Sequence, residues 1–226
     1  MGWHSRGPSA GWSERPYCTH ADAASRPRNR ARGPVQLMLG RSHAAIGAAT
    51  AVVAAHVLGA EAVLARSIAG PAALAAAATI AIVSPVGAVA ALLPDLDKPD
   101  SALGGLLPRW WHRLTPGHRR CTHSLVAVGL VGLLLHLALG ALGVSGYALE
   151  LLTALVVVGM LSHLAADAIT DHGVPLFWPW RQHFGLPLFR TGSLQEHVVV
   201  FLVVAGTAWW AFGLGDVVQA ARGHLA

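Results

Sequence analysis

The chain has 226 residues, 54% of them hydrophobic and 12% charged, with 16 Lys and Arg against 11 Asp and Glu. Soluble domains carry about twice that charged share, so an ordinary globule is excluded: there is too little polar surface to cover such a core. A mean hydropathy of +0.52 and a pI near 10.2 read as a membrane protein whose arginines mark orientation, not as a specific nucleic-acid binder.

Residues 1–37 are rich in Arg, Ser, Pro and Gly without an apolar period, and are expected to be disordered. No apolar core follows their charges, so they do not form a signal peptide, and Met38 stands as an alternative start. Five apolar segments follow at about 44–60, 72–93, 124–143, 148–169 and 197–214. Most reach the roughly 17–25 residues that cross hydrocarbon; the first and last are near the short limit. The second begins with an Ala-rich run, Pro71 to Ala78, that is only weakly hydrophobic. The loop over 170–196, with Trp178, Trp180 and several Pro, reads as an interfacial lid or anchor. The expected fold is therefore all-α: a polytopic membrane helix bundle of about five spans over residues 38–226, behind a disordered N-terminal segment, 1–37.

Arginine placement orients the bundle. Residues 1–42 hold seven Arg, the 94–123 loop holds Lys98, Arg109, Arg113, Arg119 and Arg120, and the 170–196 loop holds Arg181 and Arg190. The opposite side has Arg66 and the tail Arg222. Five spans with a cytoplasmic N-terminus put all three basic regions inside. Cys18 and Cys121 then share the reducing side, with no spacing that makes a disulfide framework or metal motif.

The ionisable residues sort the same way. His43 opens span one, and Asp95 and Asp97 close span two within Leu92-Leu-Pro-Asp-Leu-Asp97. His118 and His123 open span three, while His163, Asp167, Asp171 and His172 fall at the end of span four. Glu196 and His197 open span five. His163 and Asp167 are four apart, so a helix puts them on one face, and a buried carboxylate there needs a partner. All of these positions lie at the cytoplasmic ends of spans that alternate in direction. Imidazole with carboxylate is a ligand set for a divalent ion, Zn²⁺ first, Mn²⁺ or Mg²⁺ as alternatives. Thr122 or Ser124 is placed to cap the third span. Lone histidines on apolar faces are ordinarily hydrogen-bonded core residues, which is the role assigned to His56 and His136.

Five motifs occur in order: His43-Ala-Ala-Ile-Gly47, Leu92-Leu-Pro-Asp-Leu-Asp97, His118-Arg-Arg-Cys-Thr-His-Ser124, Ser162-His-Leu-Ala-Ala-Asp-Ala-Ile-Thr170 and Gly173-Val-Pro-Leu-Phe-Trp-Pro179. Over about residues 40–200 the chain resembles the YdjM-like family of bacterial inner-membrane proteins, described as metal-dependent hydrolases and, for the namesake, as LexA-regulated. The resemblance implies a multi-span helical protein whose metal ligands are His43, Asp95, Asp97, His118, His123, His163 and Asp167, with Glu196 at a later acidic position. The chain departs from the family at Lys98, where a His is usual, and at Arg120, where a Gly is usual.

Together these features read as a membrane-bound metal-dependent hydrolase with its His/Asp site at the cytoplasmic interface. Asp171 or Glu196 would serve as general base, and Arg119 would steady charge on a phosphoryl oxygen. The expected partners are membrane lipids and an amphiphilic phosphoester. The alternatives are a non-enzymatic metal-binding or transport protein, and a bundle whose metal is structural while its Arg-rich tail recruits a partner or anionic lipid. No serine-hydrolase elbow, phosphate-binding glycine loop or nucleotide fingerprint occurs in the sequence.

Overall fold

The structure, a computed structural model, describes residues 35–68, 72–114, 121–170, 173–180, 182–186, 188, 192–211 and 213. The expected disorder of residues 1–37 falls almost wholly outside this set. Seven helices are described: α1 (Val35–Val57), α2 (Ala60–Ile68), α3 (Ala72–Ala90), α4 (Arg109–Leu114), α5 (Leu125–Ala141), α6 (Gly146–Ala168) and α7 (Leu194–Ala211). Among the described residues the only pairing of extended chain is one bridge, between Val174 and Phe184. The fold is an all-α helix bundle.

Among the described residues, three helical segments are long and apolar enough to cross a bilayer: Leu74–Asp97, Gly146–Ala168 and Leu194–Ala211. A fourth arises if Gly40–Val57 and Ala60–Ser67 form one span, although 70° of bend separates them. Gly59 makes that bend, at a φ of 76° that a side-chain-bearing residue would resist. The third expected span, α5, has 17 residues and is about 25 Å long, short of a roughly 30 Å hydrocarbon core. Its start is fixed by Ser124, whose Oγ accepts from Ala127 N at 3.2 Å. Ser124, not Thr122, is thus the cap.

Helix α1 packs against α3, α6 and α7, and small residues let it approach closely. A Cβ on Gly47 would stand 2.5 Å from the Gly87 carbonyl oxygen, and one on Gly87 would strike Ala51 and the Gly47 carbonyl. Gly159 of α6 meets the same crossing, where a Cβ would lie 2.6 Å from Ala90 Cβ. The buried apolar core around Ala51, Val52, Ala55, Val83 and Leu155 surrounds this crossing. Large apolar side chains such as Leu133, Leu137, Phe201 and Leu202 instead face outward, as expected where the solvent is lipid.

Two loops complete one end of the bundle. After α3 the chain tightens into a 3₁₀ turn, Leu93–Asp97, with Pro94 in its first positions. Ser101 Oγ donates to Asp95 O at 2.7 Å, and Trp111 Nε1 donates to Leu96 O at 3.2 Å, so the turn is held from outside. The loop after α6 doubles back through the Val174–Phe184 pair and binds the end of α6 through Leu186 N and Ala168 O at 2.8 Å. It also ties to α5, through Leu125 N and Leu176 O at 2.9 Å. Its Trp178 and Trp180 are exposed.

Candidate metal centre

His163 and Asp167 occupy the last two turns of α6 and are each 1% exposed. Helical spacing puts both on the face that meets the end of α3. There, His163 Nδ1 donates to Ala91 O at 2.6 Å. The bond fixes the proton on Nδ1 and turns the Nε2 lone pair into the bundle.

His123 reaches the same point from the segment before α5 and is fully buried. Thr122 Oγ1 donates its one proton to Asp97 Oδ2 at 2.7 Å, so toward His123 Nδ1, 3.0 Å away, it acts as acceptor. His123 therefore carries its proton on Nδ1 and also turns Nε2 inward. The two Nε2 atoms stand 3.2 Å apart. Lone pairs so close repel unless a cation or a shared proton lies between them.

Two carboxylates close around that pair. Asp167 Oδ2 lies 3.5 Å from His123 Nε2 and 3.6 Å from His163 Nε2. Asp95 Oδ1 lies 3.6 Å from His123 Nε2 and 3.9 Å from His163 Nε2. Four donors bound tetrahedrally at about 2.0–2.1 Å are separated by about 3.3 Å, close to these spacings. The residues present thus fit a divalent ion, and Asp95, His123 and His163 could hold one.

His43, on α1, extends the cluster. Its Nε2 is 3.5 Å from Asp167 Oδ1, and its ring stacks on that of His163 with centroids 3.9 Å apart. With His163 and Asp167 it forms a second, overlapping ligand group. His43 Nδ1 is buried and has no hydrogen-bond partner among the described residues. Burial also pushes the His123 imidazole below its ordinary pKa, with Asp95 opposing the shift. The neutral ring that results is the form a metal needs.

Five of the expected ligands therefore converge: His43, Asp95, His123, His163 and Asp167. Asp97 stands one step behind, acting on His123 through Thr122. His118, Arg119, Arg120, Asp171 and His172 lie outside the described residues. Lys98, at the position of the usual family His, closes the 3₁₀ turn through its backbone N–H on Asp95 O at 3.0 Å.

Glu196 is buried in the first turn of α7, where Oε2 accepts from Gly192 N at 2.5 Å. Its own N–H donates to Ser193 Oγ at 3.3 Å, so the Ser193 hydroxyl and the Glu196 carboxylate each take up one backbone N–H at the helix start. With Ser42, His43, Asp167 and Thr170, Glu196 also walls a hollow of about 20 Å³, room for about one water. His197 donates from Nδ1 to Ser193 O at 2.8 Å, on its own helix.

The two lone histidines diverge. His136 bonds Thr153 across α5 and α6 at 3.3 Å, as a core histidine should. His56 corrects the expectation: it is exposed, its Nδ1 is 3.2 Å from Glu61 Oε2, and its ring meets Trp210 edge-on at 4.3 Å. Glu61 five residues on was the available signal. Sequence reasoning also missed Thr122 as a link to His123 and Ala91 as the acceptor for His163. The second is a backbone carbonyl and leaves no mark in a sequence.

A family model described as YdjM inner membrane protein matches residues 38–220. The inner membrane protein YdjM of Escherichia coli (strain K12) is 33% identical over 143 residues, spanning 58% of this chain and 68% of that protein. Its namesake in Shigella flexneri matches to the same extent, 33% over 143 residues. No solved structure matches. With the model covering most of the chain, its apolar helices packed into a bundle and the ordered His/Asp motifs brought to one place, the chain belongs to the YdjM inner membrane protein family.

Proposed function

We propose that the chain is a metal-dependent hydrolase whose site lies at the cytoplasmic face of the inner membrane and acts on a phosphoester headgroup. The observation that carries this reading is the pair of inward Nε2 atoms, 3.2 Å apart and flanked by Asp95 and Asp167. Imidazole nitrogens mixed with carboxylate oxygens favour Zn²⁺ over the harder Mg²⁺. A divalent ion held there supplies Lewis-acid activation of water and polarisation of a phosphoryl oxygen.

The chain's own groups do the rest. Ala91 O and the Thr122–Asp97 pair hold His163 and His123 in one tautomer, which keeps the ligand geometry fixed between turnovers. Glu196, on the wall of the water-sized hollow beside His43, is placed to take a proton from a water in it. Asp171 is the other candidate for that role, and Arg119 for steadying phosphoryl charge. The cytoplasmic assignment rests on the arginine distribution between loops.

A structural metal is the competing reading, favoured by one observation: the ligands come from α1, the turn after α3, the segment before α5, and α6. Turnover separates the two. Protein purified in mild detergent and loaded with Zn²⁺ should hydrolyse phosphoesters from a panel of phospholipids and polyprenyl phosphates. Chelation should abolish that activity while the helix content persists. No turnover on any member, together with loss of fold on chelation, favours the structural metal.

A further inference from the structure

Two hollows lie along one seam between α1 and α7. The first is the water-sized space beside the metal centre, walled by His43 on α1 and by Glu196, Val199 and Val200 on α7. The second is a cavity of about 210 Å³ lined by Ala48 and Val52 of α1, Ile80 of α3, and Val204, Ala208 and Ala211 of α7. The α7 positions advance by three and four residues, so a single helix face serves both hollows. At 1.5 Å per residue, Val204 is about 12 Å and Ala211 about 22 Å along α7 from Glu196. The second hollow therefore lies farther along the same seam, away from the metal centre.

Chemistry divides the seam in the same order. The larger hollow is an open groove on the side of the bundle, and it keeps its depth because alanines face it where larger side chains would fill it. Ser84 and Thr207 are its only hydroxyl-bearing lining residues, too few partners to hold a chain of waters. An apolar occupant suits it. At the other end His43 is buried with Nδ1 unpartnered among the described residues, beside the Glu196 carboxylate. Such a site completes itself with a polar ligand group.

We infer that the α1–α7 seam is a binding groove for one hydrocarbon chain of an amphiphilic phosphoester, whose head lies beyond the Glu196 end of the groove, toward the metal centre. The nature of the head rests on the hydrolase reading above; the chain site stands on the cavity alone. The groove sets specificity by apolar fill, so short-chain esters bind weakly even where the head is identical.

The test uses full-length protein in phosphatidylcholine vesicles doped with phosphatidic acid that carries a photoreactive diazirine at mid-chain. After illumination, peptide mapping should find 45–52 and 204–211 labelled about fivefold or more above the lipid-facing Leu130–Leu137 stretch of α5, the difference expected for a few extra buried methylenes. Ala208→Phe should remove that excess, whereas His163→Ala should leave it. Labelling of α5 equal to that of α1 and α7 means bulk bilayer contact only, and overturns the inference without any variant. An excess that survives in folded Ala208→Phe protein overturns it equally. Seam labelling without turnover of any lipid sinks the hydrolase reading and leaves the chain site standing.

Discussion

At His123 and His163, the ring nitrogen facing away from the cluster decides what the other can do. Ala91 O holds one ring and Thr122 the other, and both present lone pairs to the same point. Thr122→Val removes the acceptor for His123 Nδ1 and leaves Asp97 without its Thr122 donor. Metal affinity should fall by about 10–100-fold, the usual cost of losing an outer hydrogen bond to a ligating His. A competition titration with a chromogenic chelator reads this directly; unchanged affinity would remove Thr122 from the account. Acidity acts on the same ring. His123 takes up its proton at lower pH when folded than its ordinary value of 6.5. In the window just below 6.5 the unfolded chain therefore binds more protons, and stability falls as pH drops through it. Metal-free protein should melt at a lower temperature at pH 5.5 than at pH 7.5, and His123→Gln should shrink the difference. The meeting of the residues was legible, since five of those expected at one end come together. Their partners were less so: Thr122 read as a helix cap because cap and ligand support use the same hydroxyl.

At the scale of helices, closeness of backbones carries the site. His163 reaches Ala91 O because Gly47, Gly87 and Gly159 let α1, α3 and α6 approach within a methyl group of one another. Gly87→Ala forces a Cβ into Ala51 and the Gly47 carbonyl, neither a flexible side-chain end. Overpacking of this kind costs about 1–3 kcal/mol, so thermal unfolding should come earlier, with metal affinity weakened as α3 shifts. An unaltered melting temperature would show that the crossing is looser than described. At α5, Ser124→Ala should cost about 1 kcal/mol through the lost cap and leave metal content intact. Hydropathy found α1, α3, α5, α6 and α7 but not their ends, and it missed α2 and α4, which fall between the apolar segments. Span one breaks at Gly59, whose positive φ depends on a bend that composition does not encode. Span three is shorter than its apolar run because Ser124 and Gly143 delimit it.

Across the whole molecule, residues far apart in sequence meet at one end of the bundle, between elements that otherwise touch mainly through apolar contacts. A bound ion there stabilises the folded state by mass action, so the melting temperature should rise with added Zn²⁺ and fall with chelator. The side of the membrane was read from arginines alone, and the convergence of His and Asp at one end is the independent feature that the same reading anticipated. The packing that turns five scattered residues into one cluster is recorded in the sequence only through motif order. The central claim is that His123 and His163 share an ion with Asp95 and Asp167. Elemental analysis of purified wild-type protein beside His163→Ala and Asp167→Ala tests it most directly. The account predicts about one equivalent of a divalent metal in the wild type and a large loss in both variants that still fold. Equal metal content in all three proteins would contradict it.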